Sequence, residues 1–317
     1  MNAWSLPKYG RIEDLGYGDY PKPTCEANNV LVKIKAAALN PADLKLISGK
    51  DGGTLLHAPN FPLVPGYDFS GVVEEVGEQV RDLKKNQEVF GFLPYAKSTT
   101  QGALGDYLIA DANTISPKPA NVSHEDAAAA ATTGTTALIG LRDKSRLKSG
   151  QHVLINGASG GVGSFAVQIA RQMGASVWGT SSDKNLDTIL SLGAEKAIDY
   201  KKTGISDLSE SFDVFLDASS TASFHQALPR LNKGGTYVTL LPSATLATGI
   251  LRSLFSSRNC RFVIVKPNSE DLAQLAAWMA GGQLKPLIGA SYPMKEAQEA
   301  LRHLKRGCIG KIVLTNA

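Results

Sequence analysis

Apolar residues in the first 117 positions come in short runs broken by Gly, Pro and Asn. The runs are "VLVKIKAAAL" (30–39), "SGVVEEVG" (70–77), "QEVFGF" (87–92) and "ALGDYLIADANTISPKP" (103–119). Such β-rich stretches, closed by turn formers, predict strands of a small closed antiparallel barrel. After "SPKPANVS" the texture changes. Ser123 followed by Asp126 has the form of a capping box, and the alanine run behind it is strong helix material.

From Gln151 strand and helix patterns alternate. "HVLIN" predicts a buried strand, "GVGSFAVQIARQMG" a helix closed by Gly174, "SVWGTS" a strand, and "KNLDTILSLG" a helix closed by Gly193. "KAIDY", "FDVFLDAS", "GTYVTLL" and "CRFVIV" supply four more strands. Six strands alternating with helices predict the parallel, doubly wound sheet of an α/β Rossmann domain. The last stretch reads as a helix, "EDLAQLAAWMAGG", then strands "PLIGASYP" and "GKIVLT". It is expected to leave that sheet and rejoin the first domain. The predicted division is therefore 1–120 with 269–317, and 121–268 for the Rossmann domain.

The strand–turn–helix "VLINGASGGVGSFAVQIA" carries the first candidate chemistry. Ala158, Ser159, Gly160, Gly161, Val162 and Gly163 form a turn of small residues at a helix start. There the backbone can approach a pyrophosphate, and the free N–H groups and helix dipole can hold it. An NAD enzyme usually carries an acid at the tip of the second strand. This chain has Ser181 and Ser182 there, followed by Lys184, with Tyr200 ending the third strand. Hydroxyls and an ammonium suit a 2′-phosphate, so NADPH is expected ahead of NADH. Asp183 is discordant: it either points to solvent or tolerates NAD.

Composition narrows the partners. The 317 residues are 43% hydrophobic and 20% charged, with 31 glycines and a formal charge of +4. The basic residues are scattered, and the densest stretch is "RDKSRLK" (142–148), so a nucleic-acid stripe is not expected. Cys25, Cys260 and Cys308 are far apart, and neither they nor the five histidines have zinc-ligand spacing. Free thiols in a reducing, cytoplasmic setting are the expectation. The N-terminus lacks the apolar core of a signal peptide. No run is long enough to span a membrane, and "LLPSATLATGILRSLF" (240–255) is interrupted by Pro242.

Six motifs in order resemble the zinc-independent medium-chain dehydrogenase/reductases. They are "NPADLKLISG" (40–49), "FPLVPGYDFSGVVEEVG" (61–77), "QGALGDYLIA" (101–110), "AATTGTTAL" (130–138), "NGASGGVG" (156–163) and the terminal "GKIVL" (310–314). The likeness covers nearly the whole chain and is greatest to the quinone and enone reductase branch. It implies a GroES-like barrel beside the Rossmann domain. Zinc-dependent members carry a Cys near 40–45 and a His where this chain has Tyr67. Neither is present, so no metal is expected.

The resemblance implies a metal-free reductase. Hydride attacks the β-carbon of an enone and charge moves to the carbonyl oxygen; quinones fit the same logic. Lys45 is then a candidate for the carbonyl oxygen, the nicotinamide ribose, or both. Tyr67 either lines the pocket or donates a proton. Asn40 is placed near the nicotinamide, though Asn40 and Asp43 can also serve only to fix an Asn-Pro turn. Thr135 and Lys311 are implied cofactor-side residues. Leu240 and Leu241 belong at the sheet's carboxyl edge, where ligands bind. A homodimer through the last Rossmann strand, about 261–266, is implied as well. Two other readings stay open: a one-electron quinone reductase, told apart by radical products, and a non-catalytic NADPH-binding sensor or structural protein.

Overall fold

The computed structural model describes residues 1–50, 60–95, 101–240 and 244–316. The chain divides into two compact units, Met1–Thr132 with Lys266–Ala317, and Thr133–Val265.

The first unit opens with a two-stranded ribbon, β1 (Asn2–Ser5) and β2 (Gly16–Asp19), that the sequence pattern did not predict. Then come β3 (Asn29–Ala38), α1 (Pro41–Ser48), β4 (Asp68–Val76), β5 (Glu88–Phe92), β6 (Tyr107–Asp111) and β7 (Ile115–Pro117). The helix α1 corrects the reading of "NPADLK" as a turn. Pro41 starts it, where no backbone N–H is needed, and Gly49 ends it in the left-handed region at φ 65°.

The helix α2 (His124–Ile139), whose start is capped as expected by the Asp126 amide donating to Ser123 Oγ at 3.0 Å, begins in the first unit, and its last residues, from Thr133, open the second unit. It continues with β8 (His152–Asn156), α3 (Gly161–Gln172), β9 (Ser176–Ser181), α4 (Leu186–Ser191) and β10 (Lys196–Asp199). It closes with β11 (Phe212–Asp217), α5 (Phe224–Ala227), β12 (Leu231–Thr239), α6 (Ala244–Ser253) and β13 (Asn259–Phe262). The six strands lie in the order β10-β9-β8-β11-β12-β13, every neighbouring pair parallel. The last strand is shorter and earlier than the predicted 261–266.

The chain then returns to the first unit with α7 (Ser269–Ala280), β14 (Ile288–Pro293), α8 (Ala297–Arg306) and β15 (Lys311–Thr315). The helix α8 was not predicted either. Strands β14-β15-β3-β4-β5-β7 form one sheet, with β6 also on β3, antiparallel except for the β14–β15 pair. Its core gathers Trp4, Leu6, Val32, Ile34, Leu46, Phe69, Leu108, Leu301 and Leu314. Among the described residues no helix is long and apolar enough to cross a membrane.

Candidate active site

In the first unit, polar side chains meet where β3 runs into α1. Asn40 precedes Pro41 in extended backbone, and its amide donates to Asp43 Oδ2 at 2.7 Å. Its side chain is diverted from capping. Nδ2 donates to Asp68 Oδ2 at 2.9 Å, and Oδ1 accepts from Lys311 Nζ at 2.6 Å. Lys311 also donates to Leu39 O at 2.9 Å and to Asp68 Oδ2 at 3.1 Å, which uses all three of its protons. The other oxygen of Asp68 accepts from the Thr132 amide at 3.2 Å and from the Thr132 hydroxyl. Both members of this ion pair are buried. Hydrogen bonds on every side offset the desolvation that such a pair costs.

Two phenols lie in the same cluster. Tyr67 is 2% exposed, and its ring meets that of Tyr95 at 4.7 Å and 64°. Burial, then the Asp43 charge, raises the pKa of Tyr67 far above its ordinary value. Burial, then Asp68 and Asp43, does the same to Tyr95, against a hydrogen bond with Thr132. Both phenols are therefore fixed as protonated groups. Asp43 is wholly buried. Burial pushes its carboxyl up to about 7; the Asn40 amide opposes this, Asp68 adds to it, and Lys311 opposes it. Lys45, on α1, is half-buried, and its ammonium has no hydrogen bond or ion pair among the described residues.

These residues do not fit zinc. Asp68 is saturated by an ammonium, an amide side chain and Thr132, and Tyr67 resists ionisation. No group of three His, Cys, Asp or Glu that could hold a metal occurs among the described residues, and His57 lies outside them. His124 is engaged elsewhere, with Ser70 Oγ at 2.8 Å and Glu88 Oε1 at 3.2 Å. Cys25, Cys260 and Cys308 are free thiols.

In the second unit the turn from 157 to 163 joins β8 to α3. Gly157 has φ 80°, and a Cβ on Gly163 would stand 2.1 Å from the Gly157 carbonyl oxygen. Ala158 is buried and donates its amide to Thr180 O at 2.9 Å, so it anchors the turn from beneath. Ser159, Gly160, Gly161 and Val162 are partly exposed. Ser159 Oγ lies 2.5 Å from Ser181 Oγ, and Asn185 Nδ2 reaches Ser159 and Ser182 at 3.3 and 3.2 Å. The turn and the tip of β9 are thus one hydrogen-bonded surface. It has the small residues, exposed backbone and hydroxyls that a dinucleotide needs.

Lys184 is exposed beside that surface. Asp183 pairs with Lys202 at 2.9 Å, a partner the sequence reading missed although "DYKK" places two lysines there. Tyr200 follows β10 and is 55% exposed. Thr135 is buried in α2. Leu240 lies just past β12, and Leu241 is outside the described residues. Below the carboxyl edge, Asn156 and Asp217 tie strands together. Asn156 donates to Asp217 Oδ1 at 2.8 Å and accepts from Thr180 Oγ1 at 2.7 Å; Tyr237 donates to Asp217 Oδ2 at 3.0 Å.

Known proteins resemble the chain over its full length. Residues 26–120 match the alcohol dehydrogenase GroES-like domain, and residues 192–314 match a family described as zinc-binding dehydrogenase. The 2-methylene-furan-3-one reductase of Solanum lycopersicum is 36% identical, over 99% of this chain and 79% of its own. The chloroplastic NADPH-dependent alkenal/one oxidoreductase of Arabidopsis thaliana is 32% identical over the same shares. Among solved structures, the quinone oxidoreductase of Coxiella burnetii superposes with a TM-score of 0.91 at 29% identity, covering 100% of this chain and 99% of that one. The two matched domains and these full-length likenesses put the chain in the medium-chain dehydrogenase/reductase family, in its quinone and enone reductase branch.

Proposed function

We propose that the protein is an NADPH-dependent, zinc-independent reductase of the C=C bond of α,β-unsaturated carbonyls, with quinones as an overlapping substrate class. The carrying observation is the likeness over 99% of the chain to proteins named as reductases of a methylene-furanone and of alkenals and alkenones. On this reading Met1–Thr132 with Lys266–Ala317 is the catalytic domain, and Thr133–Val265 takes the cofactor. Bound NADPH supplies the hydride.

The chain's own residues do the rest. The turn from Ser159 to Gly163 offers N–H groups to the pyrophosphate. Ser182, Lys184 and Lys202 supply hydroxyl and ammonium groups for the 2′-phosphate, and Asp183 is held by Lys202 rather than by a ribose. Lys45, whose ammonium has no hydrogen bond or ion pair among the described residues, serves the oxygen on which enolate charge develops. Asn40 and Lys311 hold the start of α1, and through it Lys45, in place. We also infer a homodimer and a reducing, cytoplasmic setting.

The test follows reduced-nicotinamide absorbance with 3-buten-2-one and with 9,10-phenanthrenequinone, each against NADPH and NADH. Loss of NADPH with a saturated ketone as product is expected. Lys45→Ala is expected to cut kcat/KM about 100-fold, the effect of removing one donor to a developing oxyanion. Turnover of the quinone alone, with radical products, would replace the hydride reading by one-electron reduction. Tight NADPH binding without turnover of either substrate would leave a sensor.

A further inference from the structure

A polar network in the second unit has no part in the reading above. Asn156 ends β8 and Asp217 ends β11, two neighbouring parallel strands. Strand order reverses between them: β8 leads on to β9 on one side, and β11 leads on to β12 on the other. A dinucleotide lies across the crevice at such a reversal. Asp217 is wholly buried and makes no ion pair among the described residues. Neutral donors satisfy it instead. Oδ1 accepts from Asn156 Nδ2 at 2.8 Å and from Ser219 Oγ at 3.1 Å; Oδ2 accepts from the Ala222 amide at 2.9 Å and from Tyr237 Oη at 3.0 Å. The carboxylate thereby fixes the short loop behind β11. That loop also leans on the glycine turn. The Ala218 and Ser219 amides donate to Asn156 O at 3.0 and 3.2 Å, and a Cβ on Gly157 would stand 2.8 Å from Ser219 Cβ.

Ser219 and Thr221 are exposed, and their hydroxyls lie 2.7 Å apart. Counting protons fixes which way they point. Ser219 gives its only proton to Asp217, so the bond between the two hydroxyls takes the proton of Thr221. Asn156 Nδ2 aims its second proton at the same pair, 2.8 Å from Ser219 Oγ and 3.1 Å from Thr221 Oγ1. Every proton of the group therefore runs inward, while lone pairs on the hydroxyls remain unfilled. Such a pair accepts hydrogen bonds and donates none. A phosphate offers only acceptor oxygens and finds no proton there. A sugar hydroxyl brings the proton that the pair lacks.

We propose that Ser219 and Thr221, held by Asp217 and Asn156, form an acceptor shelf for the ribose hydroxyls on the nicotinamide side of the bound dinucleotide. This rests on the cofactor reading of the second unit given above. The side follows from strand order. Ser182 and Lys184, assigned to the 2′-phosphate, follow the end of β9, and β9 and β11 flank β8 on opposite sides. With the adenosine half toward β9 and the pyrophosphate on the turn after β8, the other half is left with the β11 side. Asp217 and Asn156 are buried, so they act as positioning residues through the two hydroxyls.

Two probes separate the halves of the cofactor: NADPH spans both, and 2′,5′-ADP carries only the adenosine half. Calorimetry measures the binding of each to wild type, to the paired variant Ser219→Ala with Thr221→Val, and to Lys184→Ala. The paired variant changes exposed side chains only. It is expected to bind NADPH about tenfold more weakly, as the loss of a hydrogen bond or two requires, and to bind 2′,5′-ADP as wild type does. Lys184→Ala is expected to weaken both probes. Thr221→Ser keeps the hydroxyl and is expected to bind NADPH like wild type. Asp217→Asn puts a donor where donors converge, so it is expected to lose NADPH affinity and keep 2′,5′-ADP; should it not fold, the paired variant still decides. An NADPH analogue without hydroxyls on the nicotinamide-side ribose is expected to bind wild type and the paired variant equally. A paired variant that binds NADPH like wild type, or that loses both probes alike, overturns the proposal. So does an analogue that tells wild type from the paired variant as sharply as NADPH does. If wild type binds neither probe, the cofactor reading falls and takes the shelf with it.

Discussion

Lys311 and Asp68 lie 243 positions apart in the chain and form one buried pair. Removing one partner of such a pair leaves the other charged and out of water, which costs about 3–5 kcal/mol. Lys311→Met is therefore expected to lower unfolding free energy by about that amount in a denaturant titration. It has a second, more local consequence. The Lys311 ammonium is among the influences holding the Asp43 carboxyl down, so its loss is expected to move the Asp43 titration further upward, read by NMR of the carboxyl carbons of labelled protein against pH. Little of this was legible in the sequence. Motif resemblance marked Lys311 and Asn40 as site residues, but nothing in "GKIVL" says that its lysine is fully engaged with Leu39, Asn40 and Asp68. Asp43 read as a turn former, because burial by strands distant in sequence leaves no local trace.

Among the elements, local periodicity succeeded where a segment has one dominant pattern. The strand–turn–helix from β8 to α3 was readable because its glycines serve packing that any such junction needs. A Cβ on Gly163 would meet backbone, the Gly157 carbonyl oxygen at 2.1 Å, whereas a Cβ on Gly160 has its nearest contact at 3.4 Å. Gly163→Ala must push α3 off β8. It is expected to cost about 1–3 kcal/mol in stability and to weaken NADPH binding at least tenfold, measured by melting and by fluorescence titration. Gly160→Ala is the control and is expected to leave the fold intact. The helix α1 was missed because Asn-Pro ends a strand as readily as it starts a helix. The stripe of α8, with Ala297, Ala300 and Leu301 buried, was present in the sequence. It lies between two strand-like runs that drew the reading away from it.

For the whole molecule, the two edges of the six-stranded sheet differ. The β10 edge is short and flanked by Glu195, Lys196, Lys201 and Lys202, charges that discourage a further strand. The β13 edge is followed by Ile264, 64% exposed, and preceded by Leu251, Leu254 and Phe255, which are 60%, 74% and 90% exposed. Large apolar side chains left in water beside an unpaired strand edge are a liability unless something covers them. A second copy related by a two-fold axis would pair β13 with β13 and present the same apolar residues to one another. The sequence reading reached this edge from "CRFVIV" but could not see Leu254 and Phe255 as part of it, since their exposure depends on how α6 packs. Light scattering after size exclusion is expected to give twice the mass of one chain. The double substitution Leu254→Glu and Phe255→Glu is expected to give the single-chain mass with an unchanged circular dichroism spectrum, because two carboxylates per copy would repel across the axis. A wild-type protein that stays monomeric at tens of micromolar would sink the dimer. A dimer that survives both substitutions would move its interface away from β13.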